Sequence, residues 1–284
     1  MTVVLLTGFT LIAFAANSLL CRVALGGGLI DPLSFTALRL GSGALALTSI
    51  SRVIAEPRGT DNTGGSWASG FALFAYAAAF SLAYTSLSTG TGALLLFGLV
   101  QVTMIGAALK SGEHLGPAQR IGATIALGGL IYLVLPGIAS PDPFGALLMG
   151  VAGIAWGVYS IRGKGVSAPV RMTTGNFLRS APMALVASAV GSSSAHLEPA
   201  GILLALTSGI VTSALGYILW YKALGSLTTT QASLVQLLVP VLAAFGGAAV
   251  LSEQVSLRLV AASTLTLGGV ALAVWKRGPV TDRT

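Results

Sequence analysis

Apolar runs of roughly 18 to 22 residues, the length a helix needs to cross about 30 Å of hydrocarbon, follow one another along the whole chain. The first covers Val3 to Leu20, and others start near Leu33, Trp67, Thr89, Pro117, Phe144, Thr173, Ala200, Thr229 and Leu257. The pattern predicts an all-α integral membrane protein with ten transmembrane helices. The first run has no basic stretch before it and no small-residue cleavage site after it, so it is expected to be a retained span and not a signal peptide. Ser86 to Gly92 must serve as a short turn, and only Arg52 to Ser66 looks solvated enough to be a true connector.

The chain is also written twice. Glu113 and Glu253 each close an apolar run, and the spans that follow carry Leu127-Gly128-Gly129 and Leu267-Gly268-Gly269. A shift of 140 residues relates both pairs and also carries Arg22 onto Arg162, Arg39 onto Arg179 and Thr89 onto Thr229. One five-helix unit is thus used twice, as residues 1–139 and 140–284. Five is odd, so the second copy must enter the bilayer upside down. Such inverted repeats place a solute site near the midplane, where the halves meet.

Composition agrees with a lipid solvent: 54% of the residues are hydrophobic and 8% charged, with a mean hydropathy of +0.88. The 37 glycines suit close helix packing. Cys21 is the single cysteine, which excludes an internal disulfide and a cysteine metal cage. The basic residues lie singly in loops without a patch, so nucleic acid is not an expected partner and no metal or other cofactor is implied. Placing both termini in the cytoplasm puts Arg52, Lys110, Arg120, Arg162, Arg171 and Lys222 at or near cytoplasmic ends, in a bacterial inner membrane.

The order of Arg39 in the second span, Ala83-Tyr84-Thr85 before a fourth span closed by Glu113, and then Leu127-Gly128-Gly129, echoed by Val239-Pro240, Glu253 and Leu267-Gly268-Gly269, resembles the tandem EamA domains of the drug/metabolite transporter superfamily. The resemblance covers essentially the whole chain and, within the superfamily, is similar to the bacterial YddG-like exporters of aromatic amino acids. It implies a small-molecule transporter and no enzyme. One departure is visible: Val100 stands where the shift predicts a partner for Pro240, so any bend there can differ between the halves.

All eight acids fall in loops or at span ends, so no carboxylate is expected to carry protons through the membrane interior. The interior offers rings, amides and hydroxyls instead. Gly153, Trp156, Gly157 and Ser160 share a helix face on which two glycines would leave room for a planar solute beside the indole. Asn17, Tyr76, Phe80, Thr91, Gln101, Trp156, Tyr217, Gln231 and Gln236 are the candidate substrate-binding residues. Each has a plainer reading: Trp156 can be a packing residue, the amides can join neighbouring helices, and Tyr84, Trp220 and Tyr221 suit an interfacial aromatic belt. Arg39 and Arg179 are expected to tie helices to backbone carbonyls or to snorkel. Glu113 and Glu253 are expected to close helix ends or gates.

Gly122, Ala126 and Gly129 share one face of the fifth span, and Ala262, Thr266 and Gly269 the matching face of the tenth, which predicts close packing of the two. Gly128→Leu is expected to harm assembly more than substrate choice. The expected task is export of aromatic and other bulky apolar amino acids or related metabolites by alternating access. A nucleotide-sugar or phosphorylated-metabolite antiporter and a passive channel stand as alternatives, and the oligomeric state, a monomer included, is left open.

Overall fold

The computed structural model describes residues 3–54, 64–110, 116–137, 140–163, 166–191, 195–227 and 235–275. It is an all-helical bundle. In chain order the spans are α1 (Val3–Gly26), α2 (Pro32–Val53), α3 (Trp67–Ala83), α4 (Thr89–Lys110), α5 (Pro117–Val134), α6 (Pro143–Gly163) and α7 (Pro169–Val190). They are followed by α8 (Pro199–Leu224), α9 (Leu238–Leu251) and α10 (Leu257–Trp275). Among the described residues, six of these helices are long and apolar enough to cross a membrane. The expected starts at Trp67, Thr89, Pro117 and Leu257 coincide with the observed ones, and Thr229 lies outside the described residues.

The chain starts its helices with a consistent device. Proline occupies the first turn of α2, α5, α7 and α8, where its missing N–H would have had no helical acceptor and its fixed φ suits the helix. This is why α7 begins at Pro169 and not at the predicted Thr173. Asp31 accepts from Ser34 N at 2.9 Å to cap α2, and Ser66 accepts from Ser69 N at 3.1 Å to cap α3. α7 carries Thr173, Thr174 and Ser180 among its buried residues. Their hydroxyls donate to carbonyls of the same helix, those of Pro169, Val170 and Phe177, so they need no water.

α8 is irregular at its middle. Ordinary helix over Pro199–Thr207 and Gly216–Leu224 flanks a π-helical turn at Ser208–Leu215. Gly209 lets this segment lie on α2, because a Cβ there would overlap the carbonyl oxygen of Arg39. The missing partner of Pro240 also has its effect. α4 runs unbroken through Val100, whereas α9 is described from Leu238 with Pro240 in its first turn.

α5 lies on α10, α2 on α7, α4 on α9, α3 on α6 and α1 on α8. These pairings map onto one another when each helix is exchanged with the one five places along the chain. At the α5–α10 seam the small residues meet as expected: a Cβ on Gly129 would come 2.6 Å from Thr266 Oγ1, and one on Gly269 2.5 Å from Ala126 N. Gly128 and Gly268 do otherwise. A Cβ on either meets no atom within 4 Å, and Gly268 joins Pro240 and Phe245 along an apolar groove of about 590 Å³ between α9 and α10. The expectation for Gly128→Leu is therefore corrected, because that helix face is open.

Gly129→Leu should cost about 2 kcal/mol or more through overpacking, lowering the melting temperature of the purified protein in detergent. Gly128→Leu should leave that temperature unchanged.

Candidate substrate site

Five of the nine candidate residues converge at the centre of the bundle. Asn17 belongs to the polar stripe of α1 and is buried. Its Oδ1 accepts from Ser208 Oγ at 2.7 Å and from Thr212 Oγ1 at 3.0 Å, both on the π-helical turn. Its amide nitrogen faces Tyr76 OH at 3.5 Å. Trp156 of α6 packs its ring 4.9 Å from Tyr76 of α3 and 4.8 Å from Tyr217 of α8, within the range where ring pairs attract. Phe80 completes that wall, 5.3 Å from Tyr76. Phe14, which reads in the sequence as one more apolar residue of α1, touches Trp156, Tyr217 and Trp220 edge-on. These six side chains, with Ser18, Leu96 and Phe97, line a cavity of about 10 Å³, room for about one water molecule.

The other candidates lie elsewhere. Thr91 is in the first turn of α4, where its Oγ1 lies 2.9 Å from Ser88 Oγ. Gln101 and Gln236 are buried but do not line the cavity. Gln231 and Glu113 fall outside the described residues. The glycines beside Trp156 leave no space for a solute: a Cβ on Gly153 would come 2.7 Å from the Leu96 carbonyl oxygen, and one on Gly157 2.8 Å from Thr103. They are where α6 presses against α4. Tyr84, Trp220 and Tyr221 are buried, in ring contact with Phe80, Phe14 and Tyr159, and form no interfacial belt.

The two related arginines have parted company. Arg179 donates to the carbonyls of Gly64 at 2.6 Å and Gly175 at 2.8 Å, the expected backbone tie. Arg39 neither snorkels nor meets a carbonyl. It is 0% exposed, and its guanidinium donates to Ser213 Oγ at 2.9 Å and to the hydroxyls of Tyr76 and Tyr217 at 3.2 Å each. Its depth along α2 was legible; the direction of its side chain depends on the helices packed around it.

Glu253 ties together three elements at one end of the bundle. Ser252 adopts φ 52°, ψ 30°, a left-handed conformation uncommon for a residue with a Cβ, and this turns the chain so that Glu253 N reaches Gly247 O at 3.2 Å. The carboxylate then accepts from Thr89 N at 2.9 Å, at the positive end of α4, and from Arg22 Nε at 3.2 Å. Arg22 also donates to the carbonyls of Tyr84 and Thr85. At the opposite end Arg162, the repeat counterpart of Arg22, donates to Ser69 Oγ and Ser66 Oγ. Among the described residues, Asp31, Asp142, Glu198 and Glu253 all lie at helix starts or in loops.

A sequence profile for the EamA-like transporter family matches residues 143–275. An uncharacterised protein of Pseudomonas aeruginosa is 49% identical over 273 residues, which is 96% of this chain and 94% of the relative. The chain belongs to the EamA-like transporter family. An uncharacterised transporter of Archaeoglobus fulgidus is similar at 26% identity over 212 residues, 73% of this chain and 75% of that one. A solved crystal structure superposes with a TM-score of 0.67 at 20% identity, covering 98% of this chain and 99% of the other, which shows a shared fold along the whole length.

In this EamA-like transporter, a multi-pass membrane protein and not an enzyme, the Arg22–Glu253–Thr89 contacts join α1, the start of α4 and the turn between α9 and α10. Cys21 sits beside that latch and is fully buried. Glu253→Gln removes an ion pair whose side chains are 23% and 15% exposed, a loss of about 1 kcal/mol. The labelling rate of Cys21 by a small maleimide should rise about fivefold; an unchanged rate would show that Glu253 does not hold this end shut.

Proposed function

We propose that this EamA-like transporter exports aromatic and other bulky apolar amino acids, with related small metabolites, by alternating access. In this reading it resembles the YddG-like exporters, and residues 1–139 and 140–284 are the two inverted repeats. The observation that carries it is the ring cluster of Phe14, Tyr76, Phe80, Trp156 and Tyr217. Those rings come from helices of both halves and meet at the centre, where rocking one half against the other would expose them to either side. Flat rings separated by a few ångströms offer faces and edges to an indole or phenyl group. In the closed form they pack against one another and fill the space that a solute would take.

The Lys and Arg bias puts both termini in the cytoplasm of a bacterial inner membrane and the Arg22–Glu253 latch on the outer side. The closed latch then belongs to a state shut towards the outside. The described acids lie away from the cavity, so outward flux is set by the solute's own gradient without a proton-carrying carboxylate. A phosphorylated solute would call for several fixed cations at the site. Arg179 is engaged with carbonyls, which leaves Arg39 alone and favours a singly charged solute.

Trp156→Ala removes ring contacts with Phe14, Tyr76, Tyr159 and Tyr217 and should lower tryptophan efflux from proteoliposomes at least about tenfold while the protein still inserts. Unchanged efflux would remove Trp156 from the site. Tryptophan counterflow should proceed without a pH gradient, and strict dependence on an imposed gradient would overturn the facilitator mechanism.

A further inference from the structure

The centre of the bundle carries an unbalanced positive charge. Arg39 is 0% exposed, and among the described residues the carboxylates in ion pairs belong to Glu253 and Glu198, each engaged elsewhere. Its Nε and Nη2 are occupied by Ser213, Tyr76 and Tyr217, but Nη1 is buried with no hydrogen-bond partner. Stacking of the guanidinium 5.2 Å from the Tyr76 ring and 5.3 Å from the Phe80 ring offsets part of the burial cost. A buried cation without a counter-charge remains expensive. The repeat counterpart Arg179 is not in this position, because its Nη1 meets two carbonyls.

The charge also sets what the cavity wall can offer. A phenol oxygen that accepts from a guanidinium must point its own proton elsewhere. Tyr76 OH accepts from Arg39 and faces the Asn17 amide nitrogen at 3.5 Å. Tyr217 OH accepts from Arg39 as well. Among the described residues no carbonyl or carboxylate takes either phenol proton, so at most one can be absorbed by the other ring's oxygen. Trp156 adds a buried indole N–H with no partner. The wall is rich in donors and backed by a cation.

We infer that the central site takes a carboxylate, held by the free phenol proton of the Tyr76–Tyr217 pair with Arg39 as the fixed charge behind them. The ligand class is an anionic or zwitterionic solute whose carboxylate adjoins an apolar body; amines of the same shape are turned away by the guanidinium. This rests on the aromatic-solute reading above and adds the polar half of the recognition. Arg39 acts here as a positioning residue, since Tyr76 and Tyr217 line the cavity and Arg39 stands behind them.

The test is ligand-dependent thermal stabilisation of the purified full-length protein in detergent, titrated with tryptophan, tryptamine, leucine and isoamylamine. Tryptophan should bind at least about tenfold more tightly than tryptamine. Tyr76→Phe/Tyr217→Phe should reduce that ratio about tenfold by weakening tryptophan while tryptamine stays where it was. A merely structural role for the hydroxyls would weaken both ligands alike. Tryptamine binding as tightly as tryptophan to the native protein would overturn the inference, as would an unchanged ratio in the double variant. If the double variant does not fold, the native ratio and the two single variants still decide. Leucine binding as tightly as tryptophan, with isoamylamine rejected, would show that the rings confer no preference for an aromatic body and would uphold the carboxylate. Binding of none of the four would sink both.

Discussion

Inside a bilayer a polar group has no water to turn to, and the chain must supply every partner itself. That constraint organises this protein from the backbone outward. Helices start on prolines that have no N–H to strand, and hydroxyls within spans return to the carbonyl one turn back. Where a span departs from ordinary helix, at Ser208–Leu215, the hydroxyls of Ser208, Thr212 and Ser213 are all engaged with Asn17 and Arg39. The irregular turn and the polar centre thus support each other. Arg39 Nη1 and Trp156 Nε1 are among the buried groups left without partners, and so is the indole N–H of Trp220.

The helix pairings match under a five-helix shift, but positions 140 residues apart carry different residues at the centre. Tyr76 occupies the position that Gly216 holds in the other half, and Tyr217 the position of Ala77. Asn17 answers to Gly157, one a hub of hydrogen bonds and the other a close-packing contact against Thr103. Arg39 and Arg179 share a register and face opposite chemistry. On the proposed reading, a pseudo-symmetric set of helix pairings with an asymmetric centre would let rocking be shared between halves while the solute meets a surface with a defined polar end.

Much of the fold could be read from the sequence, because apolar length and the 140-residue shift are properties of the linear chain. The span starts at Trp67, Thr89, Pro117 and Leu257 needed no tertiary information. The site was legible only in part. Asn17, Tyr76, Phe80, Trp156 and Tyr217 declared themselves as bulky or polar residues at mid-span depth. Phe14 did not, since one more apolar residue in α1 carries no signal. Thr91 lies in the first turn of α4, Gln101 and Gln236 are buried away from the cavity, and the side chain of Arg39 turns inward where a backbone tie was expected. Sequence spacing gives depth along a span with some security, but which side of a ten-helix bundle a residue faces depends on its neighbours. Gly128 and Gly129 make the point at a single step: adjacent in the chain, one faces open space and the other a neighbouring backbone.

The central cavity, at about 10 Å³, holds no more than about one water molecule. A single enclosed water cannot form the hydrogen-bonded file along which protons hop, and it offers a metal cation no hydration shell. Packed in this way, the described centre offers no continuous water path for ions or protons. A solute taking the proposed central route would have to part the rings by its own bulk, which ties permeation to occupancy.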